Sequence, residues 1–87
     1  MQTSTVGEQI TDFIVARFPL ARKRGVKRDD QLLENGILDS LGVLELVTYL
    51  EETFEIAVAD EDLMPENFQT IERLTAFVQE KAENKAA

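Results

Sequence analysis

Neither cysteine nor histidine nor tryptophan occurs in this 87-residue chain. Without cysteine it forms no disulfide, offers no thiolate nucleophile and builds no thiolate metal site. Without histidine it lacks the commonest general base and the commonest metal ligand. Serine is scarce as well: only Ser4 and Ser40 are present, and Ser4 falls in an N-terminal stretch expected to fray. A serine hydrolase is disfavoured, because Ser40 has no imidazole to activate it and no Gly-x-Ser-x-Gly elbow surrounds it. Acidic runs such as Asp60-Glu61-Asp62 lack the glycine and bidentate-glutamate spacing of a calcium loop, so no metal site is expected. No apolar run approaches the ~20 residues of a membrane-spanning helix. The opening stretch, Met1 to Ile10, is polar and contains Glu8, unlike a secretory signal, and a cytoplasmic location is the expectation.

The next absence is of charge of one sign. From Asp29 to Glu72 there are thirteen acidic residues and no Lys or Arg. From Phe13 to Arg28 the pattern inverts, with Arg17, Arg22, Lys23, Arg24, Lys27 and Arg28 and no acid. With a net charge of −8, nucleic acid and anionic membrane are unfavourable partners, whereas proteins with basic docking faces suit the acidic stretch. The length sets one domain, residues 1–87, with ends 1–4 and 82–87 expected to be disordered and a monomer expected. A chain this short buries little more than ~60% of its unfolded surface, so its core is small.

Hydrophobic periodicity predicts an all-α fold. Val6, Ile10, Phe13, Ile14 and Phe18 recur at helical spacing and predict a first helix over Gly7 to Phe18, ended by Pro19. A long loop, Leu20 to Leu38, follows. Its basic cluster and Gly25 are expected at the surface, and Leu32, Leu33, Ile37 and Leu38 are expected to fold back onto the core. A second helix spans about Ser40 to Thr53, capped by Asp39, with Val43, Leu46, Val47, Leu50 and Phe54 as its apolar stripe. A short helix or turn is expected near Asp60 to Leu63, closed by Pro65. A last helix spans Thr70 to Lys81, with Ile71, Leu74, Phe77 and Val78 facing inward. Ile56-Ala57-Val58 is too short to found a sheet. The result is a small bundle of three main helices plus one short helix, with a long connection between the first two.

Asp39-Ser40-Leu41 is where this pattern carries chemistry. A serine opening a helix just after a loop is well placed to carry a phosphate ester, because the first-turn amides are unpaired and partially positive. The run Glu34-Asn35-Gly36-Ile37-Leu38-Asp39-Ser40-Leu41, then Glu45-Leu46-Val47 and Leu50-Glu51-Glu52-Thr53-Phe54, resembles the acyl carrier protein family. The likeness continues through Asp60 to Leu63 and Thr70-Ile71 to Leu74, covering about residues 30–80. It implies an acyl-carrier-like bundle in which a transferase attaches phosphopantetheine from coenzyme A to Ser40. The thiol of that arm then carries acyl groups as thioesters, and the chain itself is no enzyme. Asp39 has two compatible roles, an N-cap worth ~1 kcal/mol and, by resemblance, a contact with the transferase.

Leu41, Leu44 and Thr48 lie away from the apolar stripe of the second helix. With Glu45, Glu51 and Glu52 they make a candidate docking face for phosphopantetheinyl transferase, loading ligases and acyltransferases. No base lies on this helix, and Glu51 and Glu55, four apart, repel by ~0.2–0.5 kcal/mol, a cost that binding to a basic face would relieve. The resemblance also implies that Leu46, Val47, Leu50, Ile71 and Phe77 line a pocket for the acyl chain, although their periodicity equally describes plain core.

Three departures separate the chain from carriers of the fatty acid biosynthesis type. Those usually have an acid straight after the tripeptide, where this chain has Gly42, a residue that loosens a first turn. Tyr49 is bulky for its place, and the basic segment Arg22 to Arg28 is atypical. Glu-Asn-Gly-Ile-Leu-Asp-Ser is more similar to specialised carriers, including those of D-alanine. An aminoacyl carrier, or an unmodified acidic adaptor for a basic partner, are the alternatives to an acyl carrier of lipid metabolism.

Overall fold

A computed structural model describes residues 5–86, with side chains through residue 83. The expected fraying of residues 1–4 lies outside the described residues. Four α-helices are present: α1 (Val6–Arg17), α2 (Pro19–Arg24), α3 (Ser40–Phe54) and α4 (Ile71–Ala86). Two 3₁₀ turns, Asp60–Asp62 and Pro65–Phe68, link α3 to α4, and no strand occurs among the described residues.

Thr5 starts α1 through a reciprocal cap. Its hydroxyl accepts from the Glu8 N–H at 3.1 Å, and the Glu8 carboxylate accepts from the Thr5 N–H at 3.2 Å. Ile10 and Ile14, one turn apart, are fully buried. The helix stops because Pro19 forces the preceding residue, Phe18, into extended geometry at φ −110°, ψ 120°.

Pro19 does more than end α1. With its φ already helical and its missing N–H no loss in a first turn, it opens α2 at the first position. The expected loop from Leu20 therefore begins as a helix, additional to the short 3₁₀ helix that forms at Asp60–Asp62 where a short helix or turn was expected. Gly25 ends α2 at φ +77°, a conformation that side chains disfavour. Beyond it the chain is held by hydrogen bonds. Lys27 N–H donates to the Asp30 carboxylate at 2.8 Å, Leu32 N–H to the Gln69 carbonyl at 2.8 Å, and Glu72 N–H to the Arg28 carbonyl at 3.2 Å. Leu32, Ile37 and Leu38 are buried as expected, and Leu33 packs partly buried against them.

On α3, Leu46 and Leu50 are fully buried. Pro65 likewise opens the second 3₁₀ turn instead of closing the first. Thr70 caps α4, its hydroxyl accepting from the Arg73 N–H at 3.1 Å. Ile71, Leu74, Phe77 and Val78 face the core. α4 runs on to Ala86, past the expected end at Lys81, so 82–86 are helical rather than tail.

Lys81 Nζ lies 2.6 Å from the Asp62 carboxylate and clamps the first 3₁₀ turn to α4. The Lys81 hydrogen bond, aided by the Ala59 amide, holds the Asp62 carboxyl below the ordinary carboxylate range. A depressed folded-state pKa contributes stability above the ordinary carboxylate value, and that stability is lost as pH falls through the folded value. The melting temperature is accordingly expected to drop as pH is lowered below about 4, and Asp62→Asn to flatten part of that drop. Melts from pH 7 to 3 on both chains read this directly. Parallel curves would mean that the clamp carries no pH dependence.

Candidate functional site

The junction of the long connection with α3 sets the site. Leu38 is buried, and its N–H donates to the Leu32 carbonyl at 3.0 Å, which anchors the chain just before the helix. Asp39 is extended, at φ −115°, ψ −173°, and its carboxylate accepts from the Gly42 N–H at 2.7 Å. It is the N-cap read from the sequence. Ser40, the first residue of α3, is exposed, at the end of the helix where the dipole is positive.

Gly42 is buried. A Cβ placed there would lie 3.0 Å from Cε1 of Phe18 and 3.2 Å from the Asp39 carboxylate. The absence of a side chain lets the Phe18 ring lie on the first turn of α3. Phe18 meets Phe13 edge-on at 6.1 Å, and Phe13 stacks on Tyr49 at 4.1 Å with planes 13° apart. The Tyr49 hydroxyl donates to the Gln9 carbonyl at 3.1 Å. Burial pushes the Tyr49 phenol up, against the opposing hydrogen bond with Thr53. The unusual tyrosine is thus the joint between α1 and α3.

Leu41 and Leu44 are 65% and 56% exposed, and Leu63 and Met64 are also exposed. An open cavity of about 260 Å³ is lined by Ser40 with Leu33, Val43, Leu63, Pro65 and Phe68. None of the five residues expected to line an acyl pocket is among them. Leu46, Leu50, Ile71 and Phe77 are buried in the core, and Val47 packs against it. The apolar character of Leu33 and Phe68 was legible, but their convergence on Ser40 depends on the chain crossing from residue 32 to residue 69.

The face expected to dock partners is less uniformly acidic than its sequence. Glu45 is paired: Arg17 Nε donates to its carboxylate at 2.8 Å, which also pushes the arginine further up, by the hydrogen bond first and by charge second. Glu51 turns toward the chain after α3, accepting from the Val58 N–H at 2.9 Å. Glu55 leaves the helix in left-handed geometry at φ 56°. Glu52 is exposed, as is Thr48, whose hydroxyl donates to the Leu44 carbonyl at 3.2 Å. A second cavity, about 300 Å³, is lined by Phe13, Arg17, Glu45, Thr48, Tyr49 and Glu52. Among the described residues no group of acids is arranged to hold a metal ion, and no helix is long and apolar enough to cross a membrane.

Residues 9–78 match the model of the family described as "Phosphopantetheine attachment site". The "D-alanyl carrier protein" of Streptococcus uberis is 38% identical over 53 residues, which are 61% of this chain and 67% of that one. The "Probable acyl carrier protein PigG" of a Serratia species is 27% identical over 71 residues, 82% of each chain. A solved structure, "Structure of KstB-PCP(apo)", superposes with a TM-score of 0.65 at 38% identity, covering 80% of this chain and 78% of that one.

Proposed function

The chain belongs to the phosphopantetheine attachment-site family and is a carrier with a covalently attached phosphopantetheine, and from that premise we propose that Ser40 is the attachment residue and that the cargo is a small aminoacyl unit. Family membership sets aside the unmodified adaptor. The observation that carries the assignment of Ser40 is its exposed position at the start of α3, beside the Asp39 cap. The surrounding residues fit the group. The first-turn amides suit a phosphate, and Leu33, Val43, Leu63, Pro65 and Phe68 offer an apolar wall to the arm. The bound arm supplies the thiol that this cysteine-free chain lacks, so that cargo travels as a thioester.

The packing between the helices favours small cargo. Leu46, Leu50 and Leu74 are fully buried and Val78 is 1% exposed, so a long hydrocarbon chain entering here must displace close-packed side chains. The surface cavity beside Ser40 falls below the ~300–1,000 Å³ of an ordinary ligand pocket. The D-alanyl carrier relative points the same way. Leu41, Leu44, Glu45, Thr48 and Glu52 form the docking face for a transferase and loading ligase, with Glu51 serving the loop instead.

The test is competitive loading. The phosphopantetheinylated chain is offered, with ATP, to adenylating ligases for amino acids and to ligases for medium-chain fatty acids, and the thioesters are read by intact mass. Aminoacyl thioester is expected to accumulate, with little change in melting temperature. Preferential fatty acylation, with a raised melting temperature as the chain buries, would overturn the cargo assignment and leave the attachment site standing.

A further inference from the structure

One charge on the docking face has the wrong sign for it. Arg17, at the last turn of α1, reaches across to α3 and holds Glu45 at 2.8 Å, with the arginine side chain 58% exposed and the glutamate 34% exposed. The acid nearest to the exposed leucines is therefore partnered within the molecule before any partner protein arrives. Arg17 and Glu45 also share the rim of the 300 Å³ cavity with Thr48 and Glu52, floored by the Phe13–Tyr49 stack.

We infer that Arg17 is a specificity-determining residue of the docking face: it masks Glu45 against generic basic partners and favours a partner that sets an acid opposite Arg17 beside the base that takes Glu45. This rests on the reading of α3 as the docking face. A wholly basic partner surface must either displace Arg17 from Glu45 or bring its own cations against it. Both weaken the encounter, because like charges facing each other across an interface are repelled. A partner of mixed sign loses nothing, since Arg17 then bridges to its acid while Glu45 accepts its base. The alternative is that the pair is only a latch between α1 and α3.

The probe is a broad-specificity phosphopantetheinyl transferase with a basic docking face. Its Kd for the unmodified chain is measured by calorimetry, and its KM and kcat by intact mass with coenzyme A and magnesium. Exposed ion pairs carry little energy, so Arg17→Ala is expected to tighten Kd and lower KM about threefold, leave kcat unchanged, and steepen the salt dependence of binding. Arg17→Lys is expected to keep Kd near that of the parent. In a Glu45→Gln chain, removing Arg17 is expected to gain less than it does in the parent. A purely structural latch would instead lower the melting temperature of Arg17→Ala with Kd unchanged, and that result, a weakened Kd, or an equal gain in both backgrounds would overturn the masking role. Failure of the docking reading looks different, since then neither Leu44→Ala nor Glu52→Lys would change Kd either.

Discussion

Ser40→Ala is expected to gain no mass on incubation with coenzyme A, magnesium and a phosphopantetheinyl transferase, under conditions in which the parent chain gains one phosphopantetheine. The effect is all or none, because alanine has no oxygen to take the phosphate ester. The fold should not move. Ser40 is exposed and makes no cap, the capping oxygen belonging to Asp39, which keeps its 2.7 Å bond from Gly42. Exposed substitutions away from caps and core change stability by about 0.5 kcal/mol or less, so circular dichroism and the melting temperature are expected to match the parent. Uptake by the variant would move the attachment away from Ser40. Loss of both uptake and helical signal would mean that the serine is structural.

Leu46→Ala is expected to have the largest effect on stability. Leu46 lies mid-helix on α3, fully buried in one core with Ile10, Ile14, Leu32, Leu50 and Leu74. Truncating it removes apolar contacts and leaves a cavity, at a cost of about 2–5 kcal/mol. For a domain of this size each kcal/mol moves the melting temperature by roughly 4–8 °C, so a fall of roughly 8–40 °C is expected. Leu44, two residues earlier and 56% exposed, is the control. Leu44→Ala should melt within about 0.5 kcal/mol of the parent while weakening transferase binding. Comparable losses at the two leucines would contradict the assignment of one to the core and the other to the surface.

The same helix shows how far local pattern reaches. Three of the main helices, the Asp39 and Thr70 caps, the buried stripes of α3 and α4, and the exposed serine opening α3 were legible, because caps and 3.6-residue periodicity act within a few residues of chain. α2 was hidden because a proline signals both an end and a beginning. At Pro19 it is both, and the six-residue helix it opens is too short to show a period. The end of α4 was placed early because its last turns are polar and present no stripe.

Composition and local order alone determined that the chain is small and helical and has neither cysteine nor histidine. The resemblance carried by residues 34–41 added a carrier family and made Ser40 the proposed attachment residue. Only the tertiary structure decided what Ser40 and its helix face. It put Leu33 and Phe68 beside the serine, while the Leu46 set lies in the core between the helices. It seated Phe18 against Gly42 and made Tyr49 the joint with α1. It gave Glu45 a cation from 28 residues away. The physical reason is range. Helix formation and capping are decided by neighbours along the chain, whereas the lining of a cavity and the net charge of a surface are sums over residues that meet only after the chain has folded back on itself.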